Sequence, residues 1–376
     1  MKPPEPLSPL NAMTGLIVIG VFAGSAVVWM TVVWRWMHRV PIIRHEFRRH
    51  VPWKGGDVLV LIAAYLFIGS MVMTAFRYFE KTRASIDRAD GSHLMAEVDQ
   101  NAKTAHPLTP LLTSGNIGLI ALGIFLAVVK APLLEEFMFR VVLQGWLESA
   151  WIRSRRTQVR SVREAAHRVP SLPGQGHGSD VAPSVPADIS DNPYASPQSQ
   201  GGSAGTIVHF TWLTLFGWLH PYKVGRLFPV LLPAIVFAML HFHFAREQEA
   251  PTQVAGTFLA ATVAEALWLC VAWYVLAVVR GATANDLGWD WQHIGYDAGL
   301  GLAAAMAIVP PLLLLSGVLT NLLQRYHVPI SSDPAPIFFL ALVLGILYYR
   351  THRIMPSLVL HMSLNATSVL LLELVK

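Results

Sequence analysis

The chain has 376 residues, 53% of them hydrophobic and only 14% charged, with a mean hydropathy of +0.46. Soluble domains carry about 25% charged residues, so this balance belongs to a polytopic membrane protein. The net charge of +5 is concentrated in Arg35 to Lys54 and Arg153 to Arg168, a pattern of positive-inside loops that leaves no nucleic-acid partner to expect. Cys270 is the only cysteine, which excludes an intrachain disulfide and a zinc–thiolate cage.

Apolar windows fall near 14–34, 57–76, 116–149, 227–244, 256–279, 298–323, 335–349 and 354–373. They predict an all-α, polytopic transmembrane helix bundle of about eight membrane helices, with 335–349 short for a span of roughly 20 residues. The first window lacks a small-residue cleavage site and reads as a retained helix. It carries Gly20 and Gly24, a G-x-x-x-G pair that permits close helix packing. The loop behind it holds Arg35, Arg39, Arg44, Arg48, Arg49 and Lys54, which places that loop in the cytoplasm and the N-terminus outside. Within this loop HEFRRH has histidines five apart instead of the four of a zincin, and reads as a solvated charge run. Alternation then puts the 150–226 loop, Arg350 and Arg353 on the cytoplasmic side, in what is expected to be the plasma membrane.

Residues 1–112 read as a two-helix membrane region with a basic cytoplasmic loop, and 113–150 as a long motif-bearing helix kinked at Pro132. Residues 151–205 form a Pro/Gly/Ser-rich stretch too polar to bury a core, expected to be a disordered cytoplasmic linker. Residues 206–376 hold the remaining membrane helices, preceded by an aromatic interfacial helix over 206–220.

The third window contains Glu135 and Glu136, with Arg140 one turn later. Carboxylates at such depth are costly and by default functional. Glu136 and Arg140 are four apart and share a helix face, whereas Glu135 is turned by about 100°. Arg140 is therefore expected to neutralise Glu136 and leave Glu135 free. His241 lies in the fourth window, four residues after Phe237, and His361 and Asn365 are four apart in the last. Counted at 1.5 Å per residue from Arg153, Arg226 and Arg350, Glu135, His241 and His361 lie about 27, 22 and 16 Å deep, and Asn365 about 22 Å. Four polar groups from three helices thus fall in one layer. A carboxylate beside imidazoles can hold a divalent metal or deprotonate a water, and a His with an Asn can stabilise an oxyanion. Phe237 reads as packing, and Lys130, Glu265 and Asn321 as structural or interfacial.

These residues resemble the three ordered motifs of the CAAX protease and bacteriocin-processing family: Glu135-Glu136-x-x-x-Arg140, Phe237-x-x-x-His241 and His361-x-x-x-Asn365. Ala131-Pro132 and the stretch LALVLGILYYRTHRIMPSLVLHMSLNATS are also similar. The resemblance implies a helical intramembrane endopeptidase in which Glu135 activates water with His241. It assigns His361 and Asn365 to oxyanion stabilisation or metal binding, and Glu136 and Arg140 to positioning. It also implies a membrane-associated or lipid-modified peptide substrate and a divalent metal, zinc first, with Glu135, His241 and His361 as ligands. Val141 stands where the family has glycine, and two extra apolar helices separate His241 from His361. The competing expectation is a non-catalytic binding or bacteriocin-immunity scaffold built on the same polar layer. A proton-relay transporter is disfavoured, since no inverted repeat is visible.

Overall fold

A computed structural model describes residues 9–43, 45–46, 51–89, 115–154, 157, 221–242, 251–326 and 334–374. The chain divides into two compact units, residues 1–152 with 227–376, and residues 153–226. In the second unit the described residues are helical. The linker expected over 151–205 lies almost wholly outside the described residues, and the interfacial helix expected over 206–220 lies entirely outside them.

The described residues form helices and no strand. We number the long ones α1 (Pro9–Met37), α2 (Gly55–Ala89), α3 (Ile117–Ser154), α4 (Pro221–Phe242), α5 (Pro251–Trp273, continued by the wider turns of Tyr274–Val279), α6 (Ile294–Arg325), α7 (Pro334–Thr351) and α8 (Ile354–Leu374). Each expected apolar window is one of these helices. Six are long and apolar enough to cross a membrane, while α4 and α7 supply the shorter apolar stretches Phe228–His241 and Ala335–Thr351. Leu59 and Phe67 of α2 and Leu259 of α5 turn large apolar side chains outward, as a lipid-facing surface requires. The protein is an all-α integral membrane bundle.

α6 lies along α8, α2 along α5, and α1 against α6, while α7 touches α6, α8 and α3. Gly301 permits the close α6–α8 approach: a Cβ there would sit 2.7 Å from both Pro356 O and Val359 Cβ. Of the G-x-x-x-G pair only Gly24 faces a helix, against the Met306 side chain; Gly20 looks into open space.

Pro132 does not break α3. The helix widens into π-helical turns over Leu126–Lys130 and Phe137–Gln144. Ala131 N–H reaches back five residues to Leu126 O. The next bond of that register would run from residue 132 to Ala127, but proline has no N–H to give. Asn365 of α8 fills the gap, its Nδ2 donating to Ala127 O at 2.8 Å. α6 repeats the device: Pro311 cannot serve Ala307 O, and Trp29 Nε1 of α1 donates there at 2.9 Å. An unserved buried carbonyl costs about 1–3 kcal/mol. Asn365→Leu is therefore expected to lower the unfolding temperature of the purified protein; an unchanged melt would show that Ala127 needs no donor.

One end of the bundle is tied by ion pairs. Arg280 after α5 grips Asp57 of α2 through two bonds of 2.7 and 2.8 Å. Arg353, between α7 and α8, holds Asp297 of α6 at 2.9 Å and Glu46 at 2.6 Å, and Glu46 N–H donates to Arg350 O. One expectation is corrected here. His45 and Glu46 are not part of a solvated charge run, because Glu46 is bound by Arg353 and the His45 ring stacks on Tyr349. Arg353 is buried in its ion pairs. The α1–α2, α5–α6 and α7–α8 links meet at this end, as alternating spans require.

Candidate active site

The site lies where α3, α4 and α8 meet. Glu136 and Arg140 are fully buried and paired, Nε to Oε2 at 3.4 Å. Arg140 Nη2 also donates to Ala341 O of α7 at 2.8 Å. The row continues down the same face: Gln144 Nε2 donates to Gly345 O at 2.9 Å and to Glu148 Oε1 at 3.1 Å. Glu148 Oε2 then faces His352 Nδ1 at 3.3 Å. Sequence reasoning missed Gln144, Glu148 and Gly345. The signal was present, since polar residues recur every four positions from Glu136 to Glu148 inside an apolar helix.

Gly345 allows α7 to approach this row. A Cβ there would meet Val230 Cγ1 at 2.8 Å and Arg140 Nη1 at 3.2 Å. Overpacking of this kind costs about 1–3 kcal/mol. Gly345→Ala is expected to lower thermal stability and displace Arg140; a variant that melts like the parent would refute the close packing.

Glu135 is turned away from Arg140, as the spacing predicts, and stands between two imidazoles. Its Oε1 is 3.6 Å from His241 Nε2, and its Oε2 is 3.6 Å from His361 Nε2. His361 bridges both glutamates, because its Nδ1 lies 3.2 Å from Glu136 Oε1. His241 Nδ1 lies 2.9 Å from Phe237 O. Phe237 packs, as expected, and does so on the site itself: its ring stacks on His241 at 4.2 Å and meets His361 edge-on at 6.0 Å. Phe139 and Ala341 complete its buried pocket.

These contacts fix the tautomers. Each Nδ1 faces an acceptor, a carbonyl or a carboxylate, so each carries the proton and leaves Nε2 with a lone pair when the ring is neutral. Two nitrogen lone pairs therefore point at one carboxylate, at separations too long for a direct hydrogen bond. Glu135 Oε2 is screened from solvent and accepts no hydrogen bond from the protein. Such a cluster calls for a donor between its members, and water supplies two. Exposure is graded: the side chain of His241 is 35% exposed, Glu135 25% and His361 5%. The site thus opens past His241 and is closed behind His361.

A metal would find suitable atoms here, two Nε2 and a carboxylate, with each Nδ1 already engaged as metal-bound histidines require. Among the described residues, however, no three His, Cys, Asp or Glu groups are gathered closely enough to hold a metal ion. The two 3.6 Å approaches involve different oxygens of Glu135, which leaves room for a water between the carboxylate and each imidazole.

Among the described residues, Asn365 has no hydrogen bond to Glu135, His241 or His361. It stands one turn beyond His361 on α8 and commits an amide hydrogen to Ala127. Lys130 and Glu265 form an ion pair between α3 and α5, and Asn321 bonds back to Gly317 O. Comparison with family models, curated proteins and solved structures finds no match to this chain. Fold and site together define a helical membrane protein with a Glu–His cluster buried among its spans.

Proposed function

We propose that the chain is an intramembrane endopeptidase of the CAAX-protease and bacteriocin-processing type, acting on a membrane-associated or lipid-modified peptide. The observation that carries this reading is Glu135 set between the Nε2 atoms of His241 and His361, each 3.6 Å away. A water donating to the carboxylate and an imidazole is oriented and activated at once. Glu135 takes its proton as the oxygen bonds to the peptide carbonyl carbon. The carbonyl π electrons move to oxygen, giving a tetrahedral oxyanion. The proton passes from Glu135, directly or through His241, to the leaving nitrogen as the C–N bond breaks. His361, held by Glu136, keeps the carboxylate in place and, when protonated, donates to negative charge. Glu136 and Arg140 are positioning residues.

The orientation that goes with this function has the tied end of the bundle in the cytoplasm and the N-terminus outside, in the plasma membrane. A divalent metal, zinc first, is the other form the chemistry can take, with Glu135, His241 and His361 as the residues that would hold it. Dialysis against a chelator is expected to leave cleavage unchanged. Activity lost on chelation and restored by Zn²⁺ would transfer the water-activating role to a metal. The test of the function itself is Glu135→Gln, which keeps the size of the side chain and removes the base; cleavage is expected to be lost.

A further inference from the structure

The groove between α2 and α5 is the strongest feature that the catalytic cluster does not absorb. It encloses about 530 Å³, within the size range of small-ligand sites. Leu66, Met73, Ala261 and Ala264 form its apolar wall. Ser70, Thr74 and Arg77 run along it on one face of α2, Tyr65 lines it from the other edge of the helix, and Glu265 of α5 also lines it. From Tyr65 to Arg77 is twelve residues, or about 18 Å of helix.

Four of these polar side chains have no hydrogen-bond partner among the described residues. Thr31, Thr262, Ser363 and Thr367 all turn their hydroxyls back onto the carbonyl four residues earlier. Ser70 and Thr74 do not, and Tyr65 and Arg77 likewise have no hydrogen-bond partner among the described residues. Unserved polar groups within lipid cost several kcal/mol each, so a line of them calls for a ligand that can hydrogen-bond along its length. An acyl chain cannot; a peptide backbone can. The groove also leads to the catalytic cluster. Glu265 is paired with Lys130, five residues before Glu135, and Tyr65 is within electrostatic reach of both Glu265 and Glu135.

We propose that the α2–α5 groove is the docking lane for one arm of the peptide substrate, an extended apolar segment of about five residues with a carboxylate on Arg77. This rests on the endopeptidase reading and adds what it leaves open, the substrate's shape and charge. The carboxylate is either the chain terminus or an acidic side chain.

The test uses the full-length Glu135→Gln protein in lipid nanodiscs, so that binding is read without cleavage. The probe is a six-residue apolar peptide with a benzophenone side chain, made as free acid, as amide, and as amide with a terminal aspartate. Light-driven labelling is expected in the α2 and α5 segments, from the free acid or the aspartate form, and to be weak with the plain amide. Gly69→Leu fills the groove from a position whose Cβ meets nothing within 4 Å, and should cut labelling by about tenfold. Arg77→Gln should make acid and amide label alike. Labelling spread over other helices, indifference to Gly69→Leu, or equal displacement by palmitate would overturn the proposal. Groove labelling without any cleavage by the wild type would instead count against the endopeptidase reading and leave the docking lane standing. Cleavage of a peptide that Gly69→Leu still processes normally would do the reverse.

Discussion

Replacing Glu135 by glutamine is expected to reduce peptide cleavage by about 10²–10⁴-fold, the usual contribution of a general base, with little change in thermal stability. Glutamine keeps the size of the side chain and removes its basicity. The carboxylate meets His241 and His361 only across 3.6 Å gaps, and Arg140 is not its partner. Folding therefore does not depend on its charge in the way it depends on that of Glu136. Cleavage is to be measured on solubilised membranes, beside a melt of the same preparation. A variant that keeps wild-type cleavage would sink the mechanism. A variant that loses cleavage only by unfolding would favour a scaffold, in which the cluster serves packing alone.

The opposite result is expected at Arg140. Glu136 and Arg140 have no solvent exposure, and the guanidinium also serves Ala341 on α7. Arg140→Ala leaves a carboxylate buried with one imidazole and deprives a carbonyl of its donor. Removing one partner of a buried pair costs about 3–5 kcal/mol, because the charge left behind is uncompensated. The variant should express poorly or melt well below the parent. Arg140→Ala combined with Glu136→Leu should recover part of that loss, since no charge is then stranded. Full stability in the single variant would mean that Glu136 is neutral or served elsewhere. The contrast between the neighbouring positions, Glu135 losing chemistry and Glu136 with Arg140 losing fold, is what separates a catalytic site from a structural polar layer.

Much of this was legible in the chain. Every apolar window is a helix because membrane length and hydropathy leave few alternatives. The division of labour between the two glutamates followed from helical geometry alone: four residues bring Glu136 to Arg140, and one residue turns Glu135 away. Depth counting placed Glu135, His241 and His361 at comparable levels, and they do meet.

What was not legible depended on rotation and register. Asn365 shares a face with His361 by spacing, yet it serves Ala127, because the π-turns before Pro132 open a carbonyl there that no periodicity reveals. That His361 reaches both glutamates depends on how α8 is rotated against α3. The docking of Glu46 on Arg353 joins residues 307 apart, in a segment whose composition alone reads as solvated. The row from Arg140 to Glu148 was visible as a four-residue repeat, but its purpose appears only with the carbonyls of Ala341 and Gly345 in place.

The most direct measurement compares peptides released from membranes of cells making the wild-type protein with those from cells making Glu135→Gln at equal abundance, each sampled by mass spectrometry. An endopeptidase with Glu135 as its base predicts at least one membrane-derived peptide, with a defined new terminus, present with the wild type and absent with the variant. Identical peptide sets, with both proteins folded in the membrane, would contradict the proposed activity and leave the Glu–His cluster as a means of packing helices.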